Sequence, residues 1–230
     1  MKNLLTSLLL CVISFTAFAQ ETKPSAINKH KVKSPKLDRV LIEAGVCNFP
    51  SLPTGMTLDV SKSRMLALES FNDKPFGSSP FSFAWGIGFT SRNFNSNCQL
   101  VDDSLGTFTS WVPIQNGVKL DVNKLSVNYI DIPLELRYRS KVISNGKRIK
   151  FSAGFKPGYM IQNHFKVMGS GIKYKYYNWA NINKWHYGIT GRLGYGRLGL
   201  SMYYGMNTLF KDGRGPAMTP YSISLSISVY

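Results

Sequence analysis

The stretch FSFAWGIGFT, residues 81–90, decides the fold. Its odd-numbered positions carry five large apolar side chains, Phe81, Phe83, Trp85, Ile87 and Phe89. The even-numbered positions carry only Ser, Ala, Gly and Thr. Strict alternation predicts a β-strand, because successive side chains of a strand point to opposite faces. A solvated face would not need side chains this small, so the pattern indicates lipid on one face and a narrow lumen on the other.

The same alternation recurs along the chain. It is clear in residues 130–138, 149–155, 185–195, 198–206 and 221–229, and weaker in residues 40–47 and 62–70. Together with the first stretch these segments make eight strands. An even number of strands is typical of a bacterial outer-membrane barrel.

The links between the predicted strands alternate in length. The odd-numbered links are residues 48–61, 96–123, 163–183 and 211–218, and the even-numbered links are residues 71–79, 140–147 and 195–197. Such barrels have long extracellular loops and short periplasmic turns. We therefore predict an all-β fold, an eight-stranded antiparallel up-and-down transmembrane β-barrel whose even-numbered links are the periplasmic turns.

The N-terminus has the features of an export signal. Lys2 precedes an apolar run, and Ala17-Phe18-Ala19 forms a small-x-small cleavage site. We predict a signal peptide at residues 1–19, a basic disordered periplasmic leader at 20–39, and the barrel at 40–230, located in the cell outer membrane.

Composition excludes several classes of protein. The chain is 43% hydrophobic and 17% charged, which is too apolar for a disordered chain, and three cysteines are too few for a disulfide scaffold. The formal net charge of +16 would suit a nucleic-acid binder. Export argues against that role, so we expect no nucleic-acid partner.

Charged side chains on the small faces are expected inside the barrel. An eight-stranded barrel has room only for side chains, and an unpaired buried charge is costly. The predicted lumen network pairs Asp131 and Glu135 with members of a basic set. That set is Arg92, Arg137, Arg192, Lys150 and Lys156.

Two further groups of residues are candidates for specific roles. Cys47 and Cys98 are predicted at the outer ends of strands that run away from the periplasm, in an oxidising compartment. The sequence allows either a disulfide between them or two free thiols. The link 163–183 contains a basic, aromatic set without any acid. That set, Lys166, Lys173, Lys175, Tyr174 and Trp179, suits an anionic ligand such as lipopolysaccharide, or a generic charged loop lying on its own membrane.

Signals for catalysis are weak. His164 could meet Ser170 or Asp102 in neighbouring loops, but nothing orients them, and no histidines have metal-site spacing. We predict no enzymatic activity, no catalytic residues, no cofactor and no metal.

Three segments together resemble a known family. They are Gly86–Phe89 (GIGF), Tyr129–Arg139 (YIDIPLELRYR) and Gly188–Phe210 (GITGRLGYGRLGLSMYYGMNTLF). Over about residues 80–230 the chain resembles the PorT-like outer-membrane β-barrel proteins of Gram-negative bacteria. The resemblance implies a small antiparallel barrel and a link to a secretion machinery.

The expected function is that of a non-enzymatic outer-membrane barrel, an accessory component of a secretion or outer-membrane assembly complex. The alternatives are a small passive porin, a surface barrel that binds a ligand or lipopolysaccharide, and, least favoured, a rim hydrolase acting on lipid. The expected partners are outer-membrane lipid, lipopolysaccharide and envelope proteins of a secretion system, with the barrel itself monomeric.

Overall fold

The computed structural model describes residues 38–114, 120–143, 146–169 and 171–229. The predicted signal peptide, most of the predicted leader, Ser170 and Tyr230 lie outside the described residues. The described residues form twelve β-strands: β1 (Val40–Asn48), β2 (Arg64–Pro75), β3 (Phe81–Asn95), β4 (Cys98–Asp102), β5 (Thr109–Pro113), β6 (Val122–Asp131), β7 (Leu134–Arg139), β8 (Ile149–Gly169), β9 (Ile172–Tyr177), β10 (Trp185–Tyr195), β11 (Leu198–Gly205) and β12 (Tyr221–Val229). In this part of the chain no helix is long and apolar enough to cross a membrane.

Eight antiparallel strands close into a barrel, which confirms the predicted fold class. The neighbours run in chain order through β1, β2, β3, the pair β6 and β7, β8, β10, β11 and β12. The first and last strands close the ring, with Val40 opposite Val229 and Asn48 opposite Tyr221. Strands β6 and β7 form one crossing that is interrupted at Pro133, a residue without a backbone donor for the ladder.

The barrel wall reverses its polarity along β3. In the lower part the outward side chains are large and apolar, and Ile87 is 61% exposed. Further along the same face the chain presents Ser91 and Asn93, while the inward face changes to Phe94, which is 1% exposed. We call the lower band of exposed apolar side chains the lipid belt, and its outer edge passes through Phe89 on β3, Ile130 on β6 and Ile161 on β8. A continuous band of large outward apolar side chains is typical of a barrel surrounded by hydrocarbon.

Above the lipid belt the chain folds into what we call the outer extension. It consists of the distal parts of β3, β6 and β8, the hairpin of β4 and β5, and β9, which pairs with β8 from His164 opposite Tyr177 to Gly169 opposite Ile172. The expected loops 96–123 and 163–183 therefore contain strands: β4, β5 and the start of β6 in the first, and the end of β8 and all of β9 in the second. The sequence pattern missed these strands because their apolar face points inward, the reverse of the arrangement in the lipid belt.

An apolar cluster fills the barrel at this outer end, and we call it the outer core. Its aromatic centre is Trp111, whose ring lies 6.3 Å from that of Phe165 and 6.5 Å from that of Phe210. Phe49 stacks on Phe94 at 4.4 Å. The other buried members are Cys47, Met56, Met65, Ala67, Cys98, Leu100, Leu125, Val127, Tyr129, Val167, Ile182, Leu209 and Met218.

Candidate functional site: a filled lumen and an outer cleft

Within the lipid belt the lumen holds a balanced set of charges, which we call the lumen network. Its members lie on almost every strand of the barrel and are largely withdrawn from solvent. The carboxylates are Asp38, Glu43, Glu69, Asp73, Asp131 and Glu135, and the cations are Arg92, Arg137, Arg139, Lys150, Lys156 and Arg192. Equal numbers of opposite charges reduce the cost of taking each one out of water.

Glu135 is the centre of the network. Its carboxylate accepts a bond from Arg137 Nε at 2.7 Å and a second from Arg192. Lys156 Nζ donates to Glu69 at 2.9 Å. The pairs join β2, β7, β8 and β10, so they tie opposite walls of the barrel together.

The periplasmic end of the network centres on Asp73. Its carboxylate accepts from Arg137 at 3.1 Å and also from Arg139. Lys150 Nζ lies 2.6 Å from Asp38 Oδ1. Asp38 lies two residues before β1, which begins at Val40, and its side chain reaches the lumen network from the end of the predicted leader.

The outer end of the network is a histidine–aspartate pair. His186 Nε2 lies 2.6 Å from Asp131 Oδ1, His186 Nδ1 lies 2.9 Å from the Tyr203 hydroxyl, and Thr90 donates to the same aspartate. Among the described residues Arg92 forms no ion pair with a carboxylate. Its guanidinium stacks 4.2 Å from the ring of Tyr203 and 5.5 Å from that of Tyr129.

Little empty space remains in the described lumen. Two gaps of about 20 Å³ and about 10 Å³ lie among the charged side chains. Each gap holds roughly one water molecule. The lumen network and the outer core are two successive layers of buried side chains inside the described barrel.

A much larger cavity than the two lumen gaps lies in the outer extension. A cleft of about 630 Å³ separates β4 from β9, and we call it the outer cleft. Tyr174, Tyr176 and Trp179 line one side, and Gln99 and Asp102 line the other. Asn178 has a positive φ of 61°, so the chain turns sharply where the cleft wall ends.

Asp103 stabilises the turn that connects β4 and β5. Its carboxylate accepts from the Thr107 backbone N–H and hydroxyl, both at 2.6 Å, and from the Phe108 N–H at 3.1 Å. The Thr107 hydroxyl and these backbone amides hold the pKa of Asp103 below its ordinary value. The Asp103 carboxylate therefore stays ionised at neutral pH and continues to hold the turn of the hairpin that forms one side of the outer cleft.

A family comparison fits this architecture. The model of a family described as "Outer membrane protein beta-barrel domain" matches residues 55–211. The chain belongs to this family. No curated protein and no solved structure matches the chain. Membership of this family shows that the chain is an outer-membrane β-barrel protein. The family is broader than the PorT-like group that the sequence resembles.

The sequence prediction for this outer-membrane barrel found part of its lumen network. All seven residues predicted for the lumen have inward side chains. The sequence prediction missed Asp38, Glu43, Glu69, Asp73, Arg139 and His186. Glu69 and Asp73 are on β2, where the outward face carries Ser70, Asn72 and Lys74 and so hides the alternation of hydrophobicity.

The outer candidates are divided between two faces of the sheet. Lys166, Lys173 and Lys175 share the outward face of β8 and β9, whereas Tyr174 and Trp179 lie on the opposite face, toward the outer cleft. His164 is also on the outward face, whereas Asp102 lines the cleft and bonds to Thr109. His164 and Asp102, considered together for a hydrolase, therefore lie on opposite faces, and Ser170 lies outside the described residues.

Both cysteines of the barrel are buried free thiols in this arrangement. Cys47 Sγ donates to the Asn93 carbonyl at 3.3 Å, and Cys98 Sγ contacts Asn97 Oδ1 at 3.3 Å. Burial raises the pKa of the Cys98 thiol. Both side chains belong to the outer core, so they contribute apolar packing.

Proposed function

We propose that the protein is a non-conducting outer-membrane barrel that presents its outer cleft to an extended polypeptide segment of an envelope partner. It acts as an accessory component of a secretion or outer-membrane assembly complex, in agreement with the PorT-like resemblance. In this role the barrel anchors the protein in the membrane, and the outer extension binds the partner.

The outer cleft carries this proposal. Strand β4 pairs with β5 alone, and β9 pairs with β8 alone, among the strands of the described chain. Each strand therefore offers unpaired backbone N–H and C=O groups at one edge, and such edges accept an added strand. Tyr174 and Tyr176 supply aromatic surface of the kind that dominates binding energy at protein interfaces.

The filled lumen supports the proposal by disfavouring a passive porin. A pore needs continuous water, whereas the gaps in the described lumen hold about one water each. A barrel without a channel needs its function on a surface. The outer cleft is by far the larger of these cavities.

The experiment is a mild detergent extraction of the tagged protein from its native outer membrane, with mass spectrometry of the proteins that co-elute. The test variant is Tyr174→Ser/Tyr176→Ser, which removes aromatic surface from the cleft. The control is Leu105→Ser, since Leu105 is 82% exposed in the turn of the neighbouring hairpin.

The proposal expects a stoichiometric envelope protein that co-elutes with the wild type and with Leu105→Ser and is lost with the cleft variant. A synthetic peptide from the contact region of that protein should also bind the purified barrel. Equal recovery with both variants, or a clean monomer in each extraction, would contradict it.

A further inference from the structure

Three lysines stand side by side on the outward face of the outer extension. Lys166 on β8 is directly opposite Lys124 on β6 and Lys175 on β9. Neighbouring strands are about 4.8 Å apart, so the three backbone positions span about 10 Å. We call these three residues the lysine row.

The lysine row has no anionic partner in the described part of the chain. The lysine ion pairs found there involve Lys62, Lys150 and Lys156, which lie elsewhere. Lys124 Nζ donates to Asn93 Oδ1 at 2.9 Å, and Lys175 Nζ lies 4.6 Å from the centre of the Tyr177 ring. Both partners are neutral.

The surroundings increase the positive charge instead of balancing it. Lys173 follows on the same face of β9, one rung further out. On the rung below, burial and the neighbouring lysines lower the pKa of His164 to about 4, so its imidazole is neutral, and its buried Nδ1 atom has no hydrogen-bond partner among the described residues. Like charges directly opposite each other destabilise a sheet, so this arrangement is unfavourable without a bound anion.

The height of the row indicates the source of the anion. Ile130 marks the outer edge of the lipid belt on β6, and Lys124 lies six residues further along the same strand. At about 3.3 Å per residue and a tilt of about 40°, the row stands about 15 Å above that edge. This height is above an ordinary headgroup region, which is about 5–7 Å deep on each side, so the anion that fits it is a phosphate on the sugars of an outer-leaflet glycolipid, which extend above the hydrocarbon.

We propose that the lysine row binds the phosphate groups of a glycolipid in the outer leaflet of the protein's own membrane. Three lysines whose backbone positions span about 10 Å match several phosphates on one headgroup better than a single monoanion. The row is on the opposite face of the sheet from the outer cleft, so this site is separate from the proposed partner site.

The test measures binding of fluorescent lipid A to the purified full-length protein in detergent. The variant is Lys124→Gln/Lys166→Gln/Lys175→Gln. The control, Lys62→Gln/Lys74→Gln/Lys141→Gln, removes the same charge from exposed positions away from the row. A second probe is lipid A from which the phosphates have been removed.

We expect the row variant to bind phosphorylated lipid A at least tenfold more weakly than the wild type, and the control to bind within twofold. The cleft variant Tyr174→Ser/Tyr176→Ser should keep full lipid A binding. Undiminished binding by the row variant, or equal binding of dephosphorylated lipid A by the wild type, would overturn the proposal.

Stability without lipid gives an independent reading. Because Lys166→Gln relieves two cross-strand repulsions, its unfolding midpoint in detergent free of lipid A should rise by about 1–3 °C. Added lipid A should then raise the midpoint of the wild type more than that of the variant. A lower midpoint for the variant without lipid would mean that Lys166 serves packing, and would overturn the proposal.

Discussion

Arg92 and Phe94 point the same way from β3, yet they end in opposite environments. The guanidinium of Arg92 lies among Tyr203, Tyr129 and His186 at the outer end of the lumen network. The ring of Phe94, one rung further out, stacks on Phe49 in the outer core. This step of two residues marks the level at which the barrel changes from a membrane protein to a water-surrounded sheet.

The lipid belt can be tested with one charge. Ile132 is an exposed apolar residue of the belt, so Ile132→Lys should lower the free energy of unfolding by about 2–4 kcal/mol. The measurement is urea unfolding of the protein folded into lipid vesicles. Asn128→Lys, on the same outward face above the belt, should change it by less than about 1 kcal/mol. Equal costs at the two positions would place the membrane boundary elsewhere.

The centre of the lumen network is the second target. Glu135→Gln leaves Arg137 and Arg192 without their shared carboxylate, although Asp73 and Glu43 remain near them. Breaking a buried ion pair costs about 3–5 kcal/mol. Because Asp73 and Glu43 remain as partners, we expect the free energy of unfolding to fall by about 3 kcal/mol.

The matched control for Glu135→Gln is Lys62→Gln, which removes an exposed pair with Asp59 at 3.3 Å. Exposed pairs contribute about 0–1 kcal/mol, so the control should unfold almost like the wild type. The measurement is the unfolding midpoint from the heat-dependent gel shift. A loss for Glu135→Gln no larger than that of the control would mean that the network adds nothing to stability.

Conductance tests the closed lumen. The wild type should give no stable channels in a planar bilayer, because two separate layers block the lumen. Trp111→Ala should cost about 3–5 kcal/mol through lost packing with Phe165 and Phe210, and should still give no channels because the lumen network is intact. Reproducible unit conductance in either protein would contradict the filled lumen and favour the porin.

The state of the cysteines can be read by thiol labelling. The variant Cys47→Ser keeps Cys98 and Cys11. Cys11 lies in the predicted signal peptide, so we expect Cys98 to be the cysteine that is labelled in the mature protein. A buried thiol with a raised pKa should react slowly with a maleimide at pH 7, faster as the pH rises, and at the unhindered rate in denaturant. The sign follows because the thiolate is the reactive form and higher pH populates it.

The wild type decides between the two alternatives that the sequence leaves open for these cysteines. Free thiols add two labels after denaturation without reductant, as the arrangement of Cys47 and Cys98 in the outer core leads us to expect. A protein that accepts label only after reduction would carry the disulfide instead.

Alternation along the chain was enough to predict eight crossings and which face of each meets lipid. A strand in the lipid belt needs large apolar side chains outside and small or polar ones inside. Segments such as 81–89 and 221–229 can therefore each be recognised as membrane strands without knowledge of their neighbours. The method failed where this contrast weakens. The outer face of β2 carries Ser70, Asn72 and Lys74, and the inward carboxylates of Glu69 and Asp73 escaped notice.

Only the tertiary structure decided which inward groups meet. Asp131 and His186 are 55 residues apart in the chain, and closure of the barrel brings their side chains to 2.6 Å. The lysine row likewise depends on the register between β6, β8 and β9, because Lys124 is far in sequence from Lys166 and Lys175. Period-two alternation specifies a direction for each side chain, whereas partners depend on strand order and stagger. The sequence by itself therefore determined a membrane barrel, and the packed fold decided its filled lumen, its outer core and its outer cleft.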